Sequence, residues 1–206
     1  MSEGFKRLNF IRMMKPGNKI LCFLLFSFLL SCSNPIPKPY GYYRIEMPEH
    51  TYERCNRYKD FNFDISLHAV IKQVTDTIKG EWFDICYPDF NARIYCSYFH
   101  INPAQLADLS EDCRKFVFRH VMKANAINEE QFSIPENNVH GTLYRLEGNV
   151  ASPLQFVLTD SVNNFFRASL LFDNPPNQDS IAPALNYIKE DVERLIESFR
   201  WGIYRK

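Results

Sequence analysis

Glycine is scarce, at 7 residues in 206. No glycine-rich phosphate loop occurs, and no Gly-x-Ser-x-Gly nucleophile elbow. The five histidines (His50, His68, His100, His120 and His140) show no HExxH or HxH spacing. A metal site would have to be assembled from distant elements, so each reads as a surface or satisfied core residue, with His120 on the inner face of a helix. No cysteine pair has CxxC spacing. Charge of one sign is missing too, because 24 Lys and Arg balance 24 Asp and Glu. That argues against a protein living on phosphate-backbone electrostatics, and nucleic acid is not an expected partner. Ser152 and Ser161 read as turn residues, and Asp84, Asp160 and Asp173 as strand-end carboxylates with turn-forming roles. No catalytic residue, cofactor or metal is assigned, and no enzyme activity is expected.

The long apolar run is missing as well. Ile20–Leu30 is nearly pure apolar but only 11 residues long, where crossing a bilayer takes about 20. Lys15 and Lys19 precede it and Leu29-Leu30-Ser31-Cys32 follows. A basic flank, a short apolar core and a small residue before the cut make a secretory signal over residues 1–31. Met1, Met13 and Met14 all fit as its start. Because the cut falls before a cysteine, it matches the lipobox of bacterial lipoproteins. Cys32 is then the lipidation site, carrying diacylglycerol on its thiol and usually an acyl chain such as palmitate on its amine. At about 0.8 kcal/mol per buried CH₂, several chains anchor the protein lastingly in a membrane. Ser33 in the next position, in place of a retention aspartate, points to a periplasm-facing anchor in the inner leaflet of the outer membrane. The mature chain holds 19 basic and 23 acidic side chains, a net charge of about −4.

Residues 32–40 form the lipidated cysteine and a tether. Asn34-Pro35-Ile36-Pro37-Lys38-Pro39 favours polyproline II, and at about 3.1 Å per residue it spaces a domain roughly 25 Å from the lipid. Residues 41–206 read as one domain. Phe61, Phe63, Ile65 and Leu67 alternate on one face of a strand. Glu81–Tyr87 and Ala92–Phe99 flank Pro88-Asp89-Phe90-Asn91 as a hairpin. Asn102 caps a helix with Pro103 first, predicted to run to about Ile127 with Leu106, Leu109, Cys113, Val117, His120 or Val121, and Ala124 inward. Strands follow near 141–147, 153–159 and 164–172. Asp179 or Ser180 caps a last helix that ends at Trp201-Gly202. The fold class is therefore α+β, an antiparallel sheet with two main helices packed on one face. Cys55, Cys86, Cys96 and Cys113 remain in a compartment that permits disulfides, and free thiols or one or two bridges are all open.

Aromatic residues are abundant: 18 Phe, 11 Tyr and 2 Trp. Phe61, Phe63, Phe156, Phe166 and Phe199 belong to the core. Tyr42, Tyr43, Trp201 and Tyr204, near the ends of the domain, form a possible partner surface or pack back over a sheet edge.

Four segments carry a resemblance: Pro37–Ile45, Gly148–Ser161, Phe165–Phe172 with Pro176–Pro183, and Leu195–Trp201. Over nearly the whole mature chain the sequence resembles the gliding motility-associated lipoprotein GldD family. The resemblance implies a non-enzymatic accessory role in gliding motility and type IX protein secretion. Its partners would be the membrane, through Cys32, and protein subunits of that machinery. Only Cys32 is carried over as a site. The alternative is a periplasmic ligand-binding module for cell-wall or lipid fragments, with a cleft between sheet and helices. The element order also resembles the PsbP/Mog1 type, a likeness of fold that carries no function.

Overall fold

Strict alternation builds the first long strand: Phe61, Phe63 and Ile65 turn inward along Phe61–Ser66, and all three are buried. The strand stops there. Leu67, expected to extend the inner row, is 56% exposed, because the chain turns after Ser66. The computed structural model describes residues 47–74, 80–119, 123–173 and 177–202. The chain divides into two units, Met1–Tyr43 and Arg44–Lys206, and every described residue lies in the second. The signal, Cys32, the tether, Tyr42, Tyr43, His120, Val121 and Tyr204 lie outside the described residues.

The elements are β1 (Tyr52–Cys55), β2 (Phe61–Ser66), β3 (Val70–Gln73), β4 (Glu81–Tyr87), β5 (Ala92–His100), α1 (Pro103–Phe118), β6 (Ala124–Ile134), β7 (Val139–Gly148), β8 (Leu154–Thr159), β9 (Asn164–Phe172), α2 (Gln178–Ser198) and β10 (Arg200–Trp201). Seven strands form an antiparallel sheet in the order β3-β4-β5-β9-β8-β7-β6, and β1-β2-β10 form a small second sheet. This is the expected α+β class with its antiparallel sheet. The hairpin at Pro88–Asn91 forms as expected: Pro88–Phe90 make a 3-10 turn and Asn91 takes a left-handed φ of 48°. Pro135–Asn137 and Asn138 repeat that device between β6 and β7.

Asn102 caps α1 in a full capping box with Gln105, and Pro103 holds the first position. The helix ends at Phe118, nine residues before the expected Ile127, and Ala124–Ile134 form an edge strand instead. An edge strand is half exposed and its apolar positions are sparse, so its alternation is weak in the sequence. The last helix also begins and ends elsewhere than expected. Asn177, not Asp179 or Ser180, is the cap and accepts from the Ser180 N–H at 3.3 Å. It stops at Ser198, because Arg200 and Trp201 pair with Asn62 and Phe61 as a strand. Gly202 then passes so close to the Lys59 carbonyl that no Cβ fits.

The two helices do not share a face. α2 supplies Leu185, Ile188, Val192, Leu195 and Ile196 to a core with Phe83, Ile94, Phe156, Leu158 and Phe166. α1 supplies Cys113 and Val117 to a second core with Tyr144, Leu146, Val157 and Phe165. Neighbours such as Phe165 and Phe166 point to opposite sides of a strand, so the helices lie on opposite faces of the sheet. The expectation of both helices on one face is corrected: central strands here are apolar on both faces, and each face needs a cover. The four cysteines among the described residues, Cys55, Cys86, Cys96 and Cys113, are buried and free.

The β8–β9 turn shows the turn chemistry expected at Thr159-Asp160-Ser161. Asp160 Oδ1 accepts from the backbone N–H groups of Val162, Asn163 and Asn164 at 2.8–2.9 Å, and Ser161 takes φ 64°. Burial pushes the Asp160 pKa up, but the hydrogen bonds outweigh it and hold the carboxyl below its ordinary value. A depressed native pKa adds stability that is complete above the unfolded value, about 3.9, and is lost as pH falls through the native one. Denaturation midpoints should therefore fall as pH drops from 5 to 2, and Asp160→Asn should flatten that limb. An unchanged limb in the variant would count against this turn as the acid-sensitive element.

Candidate functional site

Seven strands at about 4.8 Å spacing make a sheet near 30 Å wide, whereas one helix covers about 10 Å. On the face carrying α1 the helix packs toward β7, β8 and β9, and the strands β4 and β5 are left partly open. The result is a groove of about 420 Å³ between α1 and the sheet.

Its floor follows from strand register. Trp82, Ser97 and Arg167 stand side by side on β4, β5 and β9, and the next row holds Asp84, Tyr95 and Ser169. Leu109, Cys113 and Phe116 of α1 form the opposite wall. Tyr95 and Phe116 are exposed, at 44% and 39%, at this open part of the face. Arg167 stacks on the Phe116 ring at 4.6 Å, and Arg119 stacks on the same ring at 4.6 Å. Burial pushes the Asp84 carboxyl upward, against the opposing pull of Arg93 and Lys72. Burial likewise raises the Cys113 thiol, opposed by Arg167. That thiol stays protonated and is a packing group, not a nucleophile. Asp84 is a mid-strand, half-buried floor residue, which corrects its expected turn role. Asp173 does sit at a strand end, where it pairs with Arg93 at 2.6 Å. The buried Ser152 shares a 2.8 Å hydrogen bond with Ser169 of the groove floor.

A second polar cluster joins the segment before β1 to α2. The buried Asp191 lies 2.7 Å from His50 Nδ1 and accepts from the Tyr52 hydroxyl at 3.0 Å. The other His50 nitrogen lies 3.0 Å from Glu190, and its ring stacks on Tyr187. With both ring nitrogens engaged by carboxylates of α2, this His-Asp pair acts as a clasp.

Of the four aromatics read as a possible partner surface, only Trp201 is among the described residues. It is half-buried, edge-on to Phe199 at 4.8 Å, and its indole N–H donates to the Asn138 carbonyl at 2.9 Å. The groove residues went unnoticed in the sequence. Their one signal was that Glu81–Tyr87 and Asn164–Phe172 carry large side chains at odd and even positions alike, which marks a strand covered on both faces. Among the described residues no cluster of metal-ligating side chains is found, and no helix is long and apolar enough to cross a membrane.

Comparison with known proteins bears on identity. No curated protein gives a significant match. The solution structure of cyanobacterial PsbP (CyanoP) from Synechocystis sp. PCC 6803 is similar at 12% identity and a TM-score of 0.47, covering 80% of this chain and 99% of that one. Residues 32–201 match the family described as gliding motility lipoprotein GldD. That span begins at Cys32 and ends at Trp201 of β10, and the chain belongs to the gliding motility lipoprotein GldD family.

Proposed function

We propose that this chain is a non-enzymatic accessory lipoprotein of gliding motility and type IX protein secretion that acts in the periplasm by binding protein subunits of that machinery. Removal of residues 1–31 leaves Cys32 as the lipidated first residue, held in the inner leaflet of the outer membrane. Residues 33–40 act as a spacer and residues 41–206 as the working domain. The observation that carries the reading is the family match, which starts at Cys32 itself. Anchoring confines the domain and raises its effective concentration toward membrane partners. In this reading Tyr42, Tyr43, Tyr204 and the outer half of Trp201 contribute to the partner surface.

The test is affinity capture from gently solubilised membranes through a C-terminal tag, with Cys32→Ala as control. The wild-type chain should sediment with membranes and bring secretion or motility subunits in fixed stoichiometry. The variant should become soluble, stay folded and lose both the subunits and the motility phenotype. Full motility and secretion from the unlipidated variant would overturn the reading. A second reading, a ligand-binding module for cell-wall or lipid fragments, is favoured by the open groove between α1 and the sheet. Capture of a lone monomer with a bound small molecule would select it.

A further inference from the structure

We infer that the groove between α1 and the sheet is a peptide-binding site, and that its guest is an extended protein C-terminus with a large apolar last residue and a free carboxylate. The inference rests on the protein-binding reading above and names the surface and the chemistry that reading leaves open.

Charge decides the sign of the guest. Arg167 and Arg119 flank the Phe116 ring from the sheet and from the end of α1, each 4.6 Å from its centroid. Neither has a carboxylate within 4.0 Å among the described residues, and no hydrogen bond from the Arg167 guanidinium to a described residue is formed. Of the acids that line the groove, Asp112 pairs with Lys115 at 3.2 Å, and Asp84 forms no ion pair with Arg167. A half-buried guanidinium fork without an acceptor fits a carboxylate, which it binds through two parallel N–H donors.

Polarity decides the class of guest. The aromatic wall of Trp82, Tyr95 and Phe116 suits a large apolar side chain. An aliphatic chain alone would leave other lining groups facing hydrocarbon. Asp84, an acceptor, and Ser97, whose hydroxyl can also donate, stand in the floor. Covering such groups without a partner is unfavourable, by about 1–3 kcal/mol each. A peptide brings both amide donors and carbonyl acceptors, so it can satisfy both kinds. The volume, about 420 Å³, matches sites that hold one or two large residues. Capture of a terminal carboxylate is also an established mode of peptide recognition.

The test uses the full-length lipoprotein in detergent and a fluorescein-labelled hexapeptide ending in leucine-phenylalanine, made with either a free or an amidated C-terminus. Anisotropy should show the free acid binding about 10-fold more tightly than the amide, the size expected for a charge-assisted hydrogen bond. Arg167→Gln should bring the ratio of acid to amide binding close to one. Phe116→Ala, at an exposed helix position, should weaken both forms, and it keeps the test decisive if the arginine variant fails to fold. Equal binding of acid and amide, no binding of either, or displacement of the peptide by dodecanoate but by no other peptide acid would each overturn the inference. Membrane capture separates this failure from a wider one. If Arg167→Gln still recovers the machinery subunits, the groove is not their seat and the accessory reading stands. If the wild-type chain recovers none, the accessory reading itself fails.

Discussion

Replacing Phe61 by alanine should destabilise the domain by about 3–5 kcal/mol, the cost of removing a fully buried aromatic ring. Phe61 lies in the middle of the small sheet, paired across to Trp201, with no exposure to solvent. Its ring meets Phe63, Tyr58 and Phe199 in stacked geometry, and Phe83, Tyr98 and Phe166 of the large sheet lie within 6.2 Å. It thus joins three bodies: the small sheet, the large sheet and the end of α2. The cavity left behind cannot collapse easily, since its walls belong to different elements fixed by their own hydrogen bonds. For a domain of this size each kcal/mol lowers Tm by about 2–4 °C, so a fall near 10 °C or more is expected in thermal unfolding. Phe61→Leu should lose well under half as much. A loss below about 1 kcal/mol for the alanine variant would mean that the small sheet is not integral to the fold.

Asp191→Ala should cost about 2–4 kcal/mol, for a different reason. The carboxylate is buried in the face of α2 toward the core and serves His50 and Tyr52 from the N-terminal side of the domain. Burial, together with this nearby carboxylate, holds the Tyr87 hydroxyl far above its ordinary pKa. Removing the acceptor leaves the His50 ring and the Tyr52 hydroxyl without their shared partner in partly dry surroundings, while the packed volume changes little. The consequence should be local as well as global. Amide exchange in Tyr52–Cys55 should quicken more than in β5 or β9, because the clasp fastens the segment entering β1 to α2. Asp191→Asn keeps one acceptor oxygen and should recover about half the loss. Equal exchange rates in β1 of the variant and the parent would show that the β1–β2 ladder alone holds this segment.

The contrast between these two sites bears on what could be read without a structure. Phe61 was legible: period-two alternation over Phe61–Ser66 reports its face directly. Asp191 was not, since a lone acid among Lys189, Glu190 and Glu193 looks like part of a solvated helix face. Only the approach of His50, 141 positions away, makes it an acceptor.

Residues close in the chain determined a good deal by themselves. Alternation placed β2, Pro88-Asp89-Phe90-Asn91 between two apolar runs marked β4 and β5 as a hairpin, Asn102 with Pro103 started α1, and an apolar stripe at helical spacing revealed α2. These are local effects, in which φ limits, capping donors and side-chain period act within a few residues. Three things were decided only by tertiary structure. Ala124–Ile134 became a strand because β7 offered it a free edge, although its own pattern is weak. α2 ended at Ser198 because β2 had an unpaired side for Arg200 and Trp201. The helices took opposite faces because β4, β5, β8 and β9 are apolar on both, and a period of two cannot say which cover goes where. The groove is a product of that last choice: one helix is narrower than the sheet it covers, and the uncovered strip holds Trp82, Tyr95 and Arg167.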